Sequence, residues 1–203
     1  MLEQTTQIRT AEQFVFRPRP EEKIELFTND DVVRFATDEF CRYELIGGEI
    51  IVSTAPRYIH KLLSMRISSQ FLDYLKKNPI GDILATPGLI FSEFDGVIPD
   101  LIFTTHERRD EILNEKDGKF HGAPELVIEI LSPGRVNARR DLQIKRELYE
   151  MFLVPEYWAV KPQQKEVEVF NLGKTSEIYT ENETLKTDLL PKFKLKIKQL
   201  FAG

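Results

Sequence analysis

GAPELVIEILSP (122–133) contains an apolar run with the length and β-branched content of a strand destined for the interior, and Glu129 sits inside it. Side chains alternate along a strand, so Leu126, Ile128 and Ile130 share one face. Glu125, Val127, Glu129 and Leu131 share the other. Both faces carry apolar groups, as in a central strand covered on two sides. An ionised carboxylate there costs several kcal/mol unless something pairs with it.

The next segment offers a partner. Residues 137–153 predict a helix, and at about 100° per residue Leu142, Leu148, Tyr149 and Phe152 define its apolar face. Lys145 falls inside that face. Its ammonium must leave the core along its apolar stem or meet a carboxylate. Glu129, on the strand directly before, is the natural partner, and Asp141 lies one turn earlier on the same side. A structural ion pair is the plainest account. Upstream, Pro99-Asp100 opens the strand DLIFTT (100–105), with Asp100 facing the same way as Ile102. A strand-end aspartate is usually a turn residue, yet here it brings a second carboxylate toward Glu129. Two close carboxylates repel unless a proton or a cation intervenes. A hard divalent ion does that job, and Mg²⁺ typically takes only one or two protein carboxylates. The lysine is then available to orient a water or to balance charge on a phosphoryl oxygen.

The remaining chain predicts the frame. TNDDVVRFATDEF starts a short helix capped by Thr28 or Asn29. RYELI-GG-EIIVS (42–53) has the turn chemistry of a β-hairpin. RYIHKLLSMRISSQFLDYLKK (57–77) carries a helical stripe through Ile59, Leu63, Ile67, Phe71 and Leu75. DILAT and GLIFSE (82–93) give two strands, 106–122 a polar, charged loop, and YWAV with EVEVFNL (157–172) a second hairpin, Tyr157 and Trp158 serving as packing residues. EIYT and KFKLKIK follow as late strands, the lysines of the latter guarding a sheet edge. The order predicts an α/β fold, a mixed central β-sheet flanked by helices. Residues 1–20 read as a polar arm ending in RPRP, and 21–203 as a single domain.

Composition narrows the setting. The chain has 203 residues, 41% of them hydrophobic, enough for a substantial core. A formal net charge of −5 gives no global pull toward nucleic acid, so such binding needs a local basic patch. Arg135, Arg139, Arg140 and Arg146 cluster near the helix that carries Lys145. One cysteine, Cys41, excludes an internal disulfide, and a reducing cytoplasm is the expected compartment. No apolar signal core opens the chain, and no apolar run approaches the ~18 residues that span a bilayer. A soluble protein without membrane contact is expected.

Asp at a strand start followed by Glu on the next strand resembles the PD-(D/E)XK nuclease superfamily, although Leu131 stands where that motif has its strand lysine. The central block is similar to one branch, the Uma-two family of restriction-endonuclease-like proteins. YELIGGEI (43–50), His60, PDLIF (99–103), GAPELVIEILSP, RRDLQIKRELYE (139–150) and VPEYWAVKP (154–162) carry the likeness, over roughly residues 24–172. In that family the helix after the motif strand supplies the lysine, which matches Lys145. The resemblance implies a restriction-endonuclease-like fold and cleavage of nucleic acid, DNA first, with Mg²⁺ or Mn²⁺. It implies Asp100 and Glu129 as metal ligands, Lys145 as the catalytic lysine, and Glu44 facing the same site as a further ligand, directly or through water. His60, otherwise a core histidine, becomes a site-edge residue orienting Glu44 or a phosphate. Arg135, Arg139 and Arg140 become phosphate contacts, which position a strand without reading it. Gly47 and Lys161 depart from residues common in the family, and neither sits at a proposed catalytic position. The rival is a catalytically inactive module that keeps the fold and binds nucleic acid or protein. A homodimer would suit the cutting of two strands.

Overall fold

The computed structural model describes residues 9–10, 26–36, 38, 41–54, 57–131 and 140–202, without the side chains of 9, 10, 140 and 141. The expected N-terminal arm lies outside these residues except for β1 (Arg9–Thr10), which runs parallel to the second hairpin strand. Helix α1 (Asn29–Phe35) starts where its capping box dictates: the Thr28 hydroxyl accepts from the Asp31 N–H, and the Asp31 carboxylate accepts from the Thr28 N–H. The first hairpin pairs β2 (Cys41–Ile46) with β3 (Glu49–Thr54). Both turn glycines have positive φ, 57° at Gly47 and 75° at Gly48, as a two-residue primed turn requires. Helix α2 (Tyr58–Leu75) buries Leu63, Ile67, Phe71 and Leu75 as its periodicity predicts, but the stripe begins at His60 and leaves Ile59 exposed.

Six strands form one sheet: β4 (Gly81–Ala85), β7 (Leu101–Thr105), β10 (Leu126–Ile130), β11 (Glu156–Lys161), β12 (Glu166–Asn171) and β13 (Glu177–Tyr179). Their order is β13-β12-β11-β10-β7-β4. The β10–β11 pair is parallel and the others antiparallel, so the sheet is mixed, with the Glu129 strand near its middle. All five residues of β10 are buried. Leu126, Ile128 and Ile130 pack with Trp158, α2 and the C-terminal segment. Val127, with Ile102, Tyr157 and Leu131, packs on the opposite face against Leu148 and Tyr149. The alternation read in the sequence is thus the alternation of two cores.

A second sheet covers part of that opposite face. It joins β1–β3 to β5 (Leu89–Ser92), β6 (Asp95–Val97), β8 (Leu113–Asn114) and β9 (Lys119–His121). The expected polar loop over 106–122 is instead α3 (His106–Ile112) followed by the β8–β9 hairpin. Thr105 caps α3 by accepting from the Arg108 N–H, and Ile112 and Phe120 are buried. The expected helix over 137–153 is described from a π-helical turn, Arg140–Ile144, that runs into α4 (Lys145–Met151). KFKLKIK is a strand only in part. Leu195–Lys196 (β15) pairs with Thr184–Leu185 (β14), and Ile197–Phe201 then turns into α5, because Ile197 and Leu200 bury at helical spacing.

Glu156 opens β11, buried. The Trp158 indole N–H and the Thr187 hydroxyl both donate to its carboxyl group. Burial pushes this carboxyl above its usual range, and the two hydrogen bonds only partly offset that. A raised folded pKa gives stability that is full below the unfolded value of about 4.3 and lost as pH rises through the folded one. Glu156→Gln, fixed neutral, is therefore expected to be more stable than the parent at pH 7 and to lose that advantage near pH 4. Urea denaturation at the two pH values measures the gap, and an equal gap at both would contradict the burial account.

Candidate active site

Strand β2 alternates, so Arg42 and Glu44 share a face, and that face meets the end of the six-stranded sheet. Glu44 is 1% exposed. Its Oε1 accepts from the Ile98 backbone N–H at 2.9 Å and from Lys145 Nζ at 2.9 Å. Asp100 precedes β7, where the antiparallel ladder with β10 runs out after the Leu101–Ile128 pair. Its side chain takes over the ladder's work, with Oδ2 accepting the Ile130 N–H at 2.8 Å. The same oxygen lies 2.9 Å from His60 Nε2, and Oδ1 lies 3.1 Å from the Arg42 guanidinium. Glu129 Oε1 accepts from Lys145 Nζ at 2.7 Å and from the Tyr149 hydroxyl at 2.7 Å. Lys145, 1% exposed, is the first residue of α4, and Tyr149 lies one turn on along the same helix face.

Three buried carboxylates therefore share two cations, with His60 beside them. Burial alone would pull the Arg42 guanidinium down. The charges of Asp100, Glu129 and Glu44 overcome this and hold it above its ordinary value. Burial pushes Asp100 up, but His60, Arg42 and the Ile130 N–H together hold it below the usual carboxylate range, so it is ionised at neutral pH. Burial and the charges of Glu129 and Glu44 push the Tyr149 phenol well up, so it stays protonated and donates. Tyr149→Phe removes that donor from a charged acceptor. The expected cost is about 1.5 kcal/mol of stability, read by chemical denaturation. It falls at the low end because Glu129 keeps Lys145.

The sequence reading named Glu44, His60, Asp100, Glu129 and Lys145, and all five lie in this one network. His60 sits on Asp100. Arg42 and the role of Tyr149 were missed, although Arg42 lies two residues from Glu44 on the same strand face. Arg135 and Arg139 lie outside the described residues, as do the side chains of Arg140 and Asp141. Arg146 stacks its guanidinium 4.8 Å from the centre of the Phe170 ring. Lys161 pairs with Glu168 at 2.7 Å, and by register Ala159 stands opposite both Glu129 and Glu168, so this pair shares the sheet face of Glu129.

Among the described residues no three of His, Cys, Asp and Glu are grouped so as to cage a metal ion by themselves. The donor chemistry nevertheless fits one. The oxygens are hard, and three carboxylates against Lys145 and Arg42 leave one negative charge in excess when His60 is neutral. Mg²⁺ asks for one or two carboxylates and completes its shell with water and phosphate. Among the described residues no helix is long and apolar enough to cross a membrane.

The fold is similar to that of "a putative nuclease belonging to DUF820" from Anabaena variabilis ATCC 29413. The TM-score is 0.70 at 22% identity, over 87% of this chain and 98% of that one. At this identity the likeness establishes the fold alone, which is restriction-endonuclease-like. No curated protein matches the chain. The pattern of the Uma2 family, described as "Putative restriction endonuclease", matches residues 30–198, a stretch that includes every member of the network. With that match over most of its length, the chain belongs to the Uma2 family of restriction-endonuclease-type nucleases.

Proposed function

We propose that this protein is a Mg²⁺- or Mn²⁺-dependent endonuclease that hydrolyses phosphodiester bonds of nucleic acid, DNA first, in a reducing cytoplasm. The observation that carries the reading is the convergence of Glu44, Asp100 and Glu129 on Lys145 and Arg42 in one buried network. A single structural ion pair needs only Glu129 and Lys145. It does not need a second sheet to deliver Glu44, nor an ionised aspartate at the end of β7.

Asp100 and Glu129 would hold the ion, with Glu44 as a further ligand directly or through water. A divalent ion supplies Lewis acidity toward a phosphate oxygen and lowers the pKa of a bound water. The protein's own groups do the rest. Tyr149 fixes the Glu129 carboxylate and His60 fixes that of Asp100. Lys145 balances the charge that develops on the phosphate oxygens, in a site dry enough to make such interactions strong. The superfamily chemistry leaves 5′-phosphate and 3′-hydroxyl ends. Two copies on a duplex would supply both cuts.

Supercoiled plasmid incubated with Mn²⁺ or Mg²⁺ tests the reading, with Glu129→Gln beside the parent. Nicking by the parent alone supports it. The rival binding module is favoured by the saturation of Asp100, whose Oδ2 already holds His60 and the Ile130 N–H. DNA retarded in a steeply salt-dependent way, with no cleavage under either metal, would establish that rival.

A further inference from the structure

We propose that Arg42 is a movable clamp, seated on Asp100 in the resting site and transferred to the substrate's phosphodiester when a divalent ion takes its place. The inference rests on the nuclease reading and adds a residue that the sequence analysis did not weigh. Asp100 has two oxygens. Oδ2 holds two partners deep in the fold, His60 at 2.9 Å and the Ile130 N–H at 2.8 Å. Oδ1 holds the Arg42 guanidinium at 3.1 Å. A cation that comes to Asp100 must therefore take the oxygen that Arg42 occupies.

Arg42 is also the member best placed to yield. Its side chain is 20% exposed, against 3% for Asp100 and 2% for Lys145. It reaches the cluster from β2, on a different sheet from Asp100, so it can swing without breaking the β7–β10 ladder. Displaced, it stays at the exposed rim with its charge intact. A guanidinium offers two parallel N–H donors that match two oxygens of a phosphodiester, which an ammonium cannot do. The exchange balances: the divalent ion replaces one positive charge on Asp100, and the phosphodiester supplies the negative charge that Arg42 loses.

Two variants test this without relying on cleavage alone. Mn²⁺ binding is titrated by calorimetry in the absence of nucleic acid, and KM and kcat are measured for cleavage of a DNA duplex. Arg42→Gln removes the competing cation. The expected result is Mn²⁺ binding several-fold tighter than the parent's, together with a KM raised tenfold or more. Arg42→Lys keeps the charge and loses the fork. It is expected to bind Mn²⁺ as the parent does while its KM still rises. A merely structural Arg42 predicts the opposite sign, weaker Mn²⁺ binding in Arg42→Gln. That result, or an unchanged KM in both variants, overturns the clamp. A parent that binds Mn²⁺ and cleaves beside unaltered variants refutes the clamp alone, whereas a parent that does neither refutes the nuclease reading and the clamp with it.

Discussion

Lys145→Met is expected to lower stability by about 3–5 kcal/mol, the usual cost of removing one partner from a buried ion pair. At roughly 2–4 °C per kcal/mol for a chain of this size, the melting midpoint drops by about 10 °C. The reason is specific to this site. The ammonium lies 2.9 Å from Glu44 and 2.7 Å from Glu129, and both carboxylates are almost wholly buried. Methionine fills the volume of the stem and removes the ammonium that both carboxylates share, while Arg42 stays seated on Asp100. Adding Glu129→Gln to Lys145→Met removes one of those charges, so the double variant should recover stability rather than lose more. Additive losses in the denaturation series would mean that the two side chains do not interact as their geometry requires.

Glu129→Gln alone is expected to do the reverse, sparing the fold and stopping the chemistry. Lys145 keeps Glu44, and the glutamine carbonyl still accepts from Lys145 and Tyr149, so the stability change should stay near 1 kcal/mol. Metal-dependent nicking should fall by about 10³-fold or more if Glu129 holds the ion as proposed, because its charge is then lost. This contrast also separates the two accounts of Glu129. A lone structural pair would make Glu129→Gln and Lys145→Met similarly costly to the fold. The shared ammonium instead predicts that the lysine variant is the costly one. A Glu129→Gln protein that nicks plasmid at the parent's rate would remove Glu129 from the mechanism.

What the sequence made legible was what it marks locally. Gly47-Gly48 announces its turn because both positions need positive φ. Lys145 stands out because a charge interrupts an apolar helix face. Glu129 stands out because a charge interrupts an apolar strand. Arg42 carries no such mark, since its partner lies 58 residues away and only the packing of one sheet on another brings them together. His60 was expected to orient Glu44 or a phosphate, and its partner Asp100 escaped for the same reason: a helix wheel gives its face but not which carboxylate it meets. Helix α3 escaped notice because seven residues with one buried side chain make no periodic signal, and its Thr105 cap is its main evidence. KFKLKIK alternates like a strand as far as Lys196, and only the burial of Ile197 with Leu200 shows the change of period. The π-helical turn before Lys145 is invisible to a fixed 100° wheel, although Leu142 within it still packs with Leu148 and Tyr149.

The two contacts that tie β2 to the rest of the site span 58 and 101 residues of chain, Arg42 to Asp100 and Glu44 to Lys145. Contacts of such separation are expected to close after the local helices and hairpins, because the loop entropy must be met first. Until then Glu44 and Asp100 remain hydrated and carry no desolvation penalty. The two long-range contacts of β2 are therefore expected to contribute to the rate of unfolding rather than to the rate of folding. If the network is the hydrolytic site proposed above, it would be complete only in the last, fully docked state, and a partly folded copy would not cut nucleic acid.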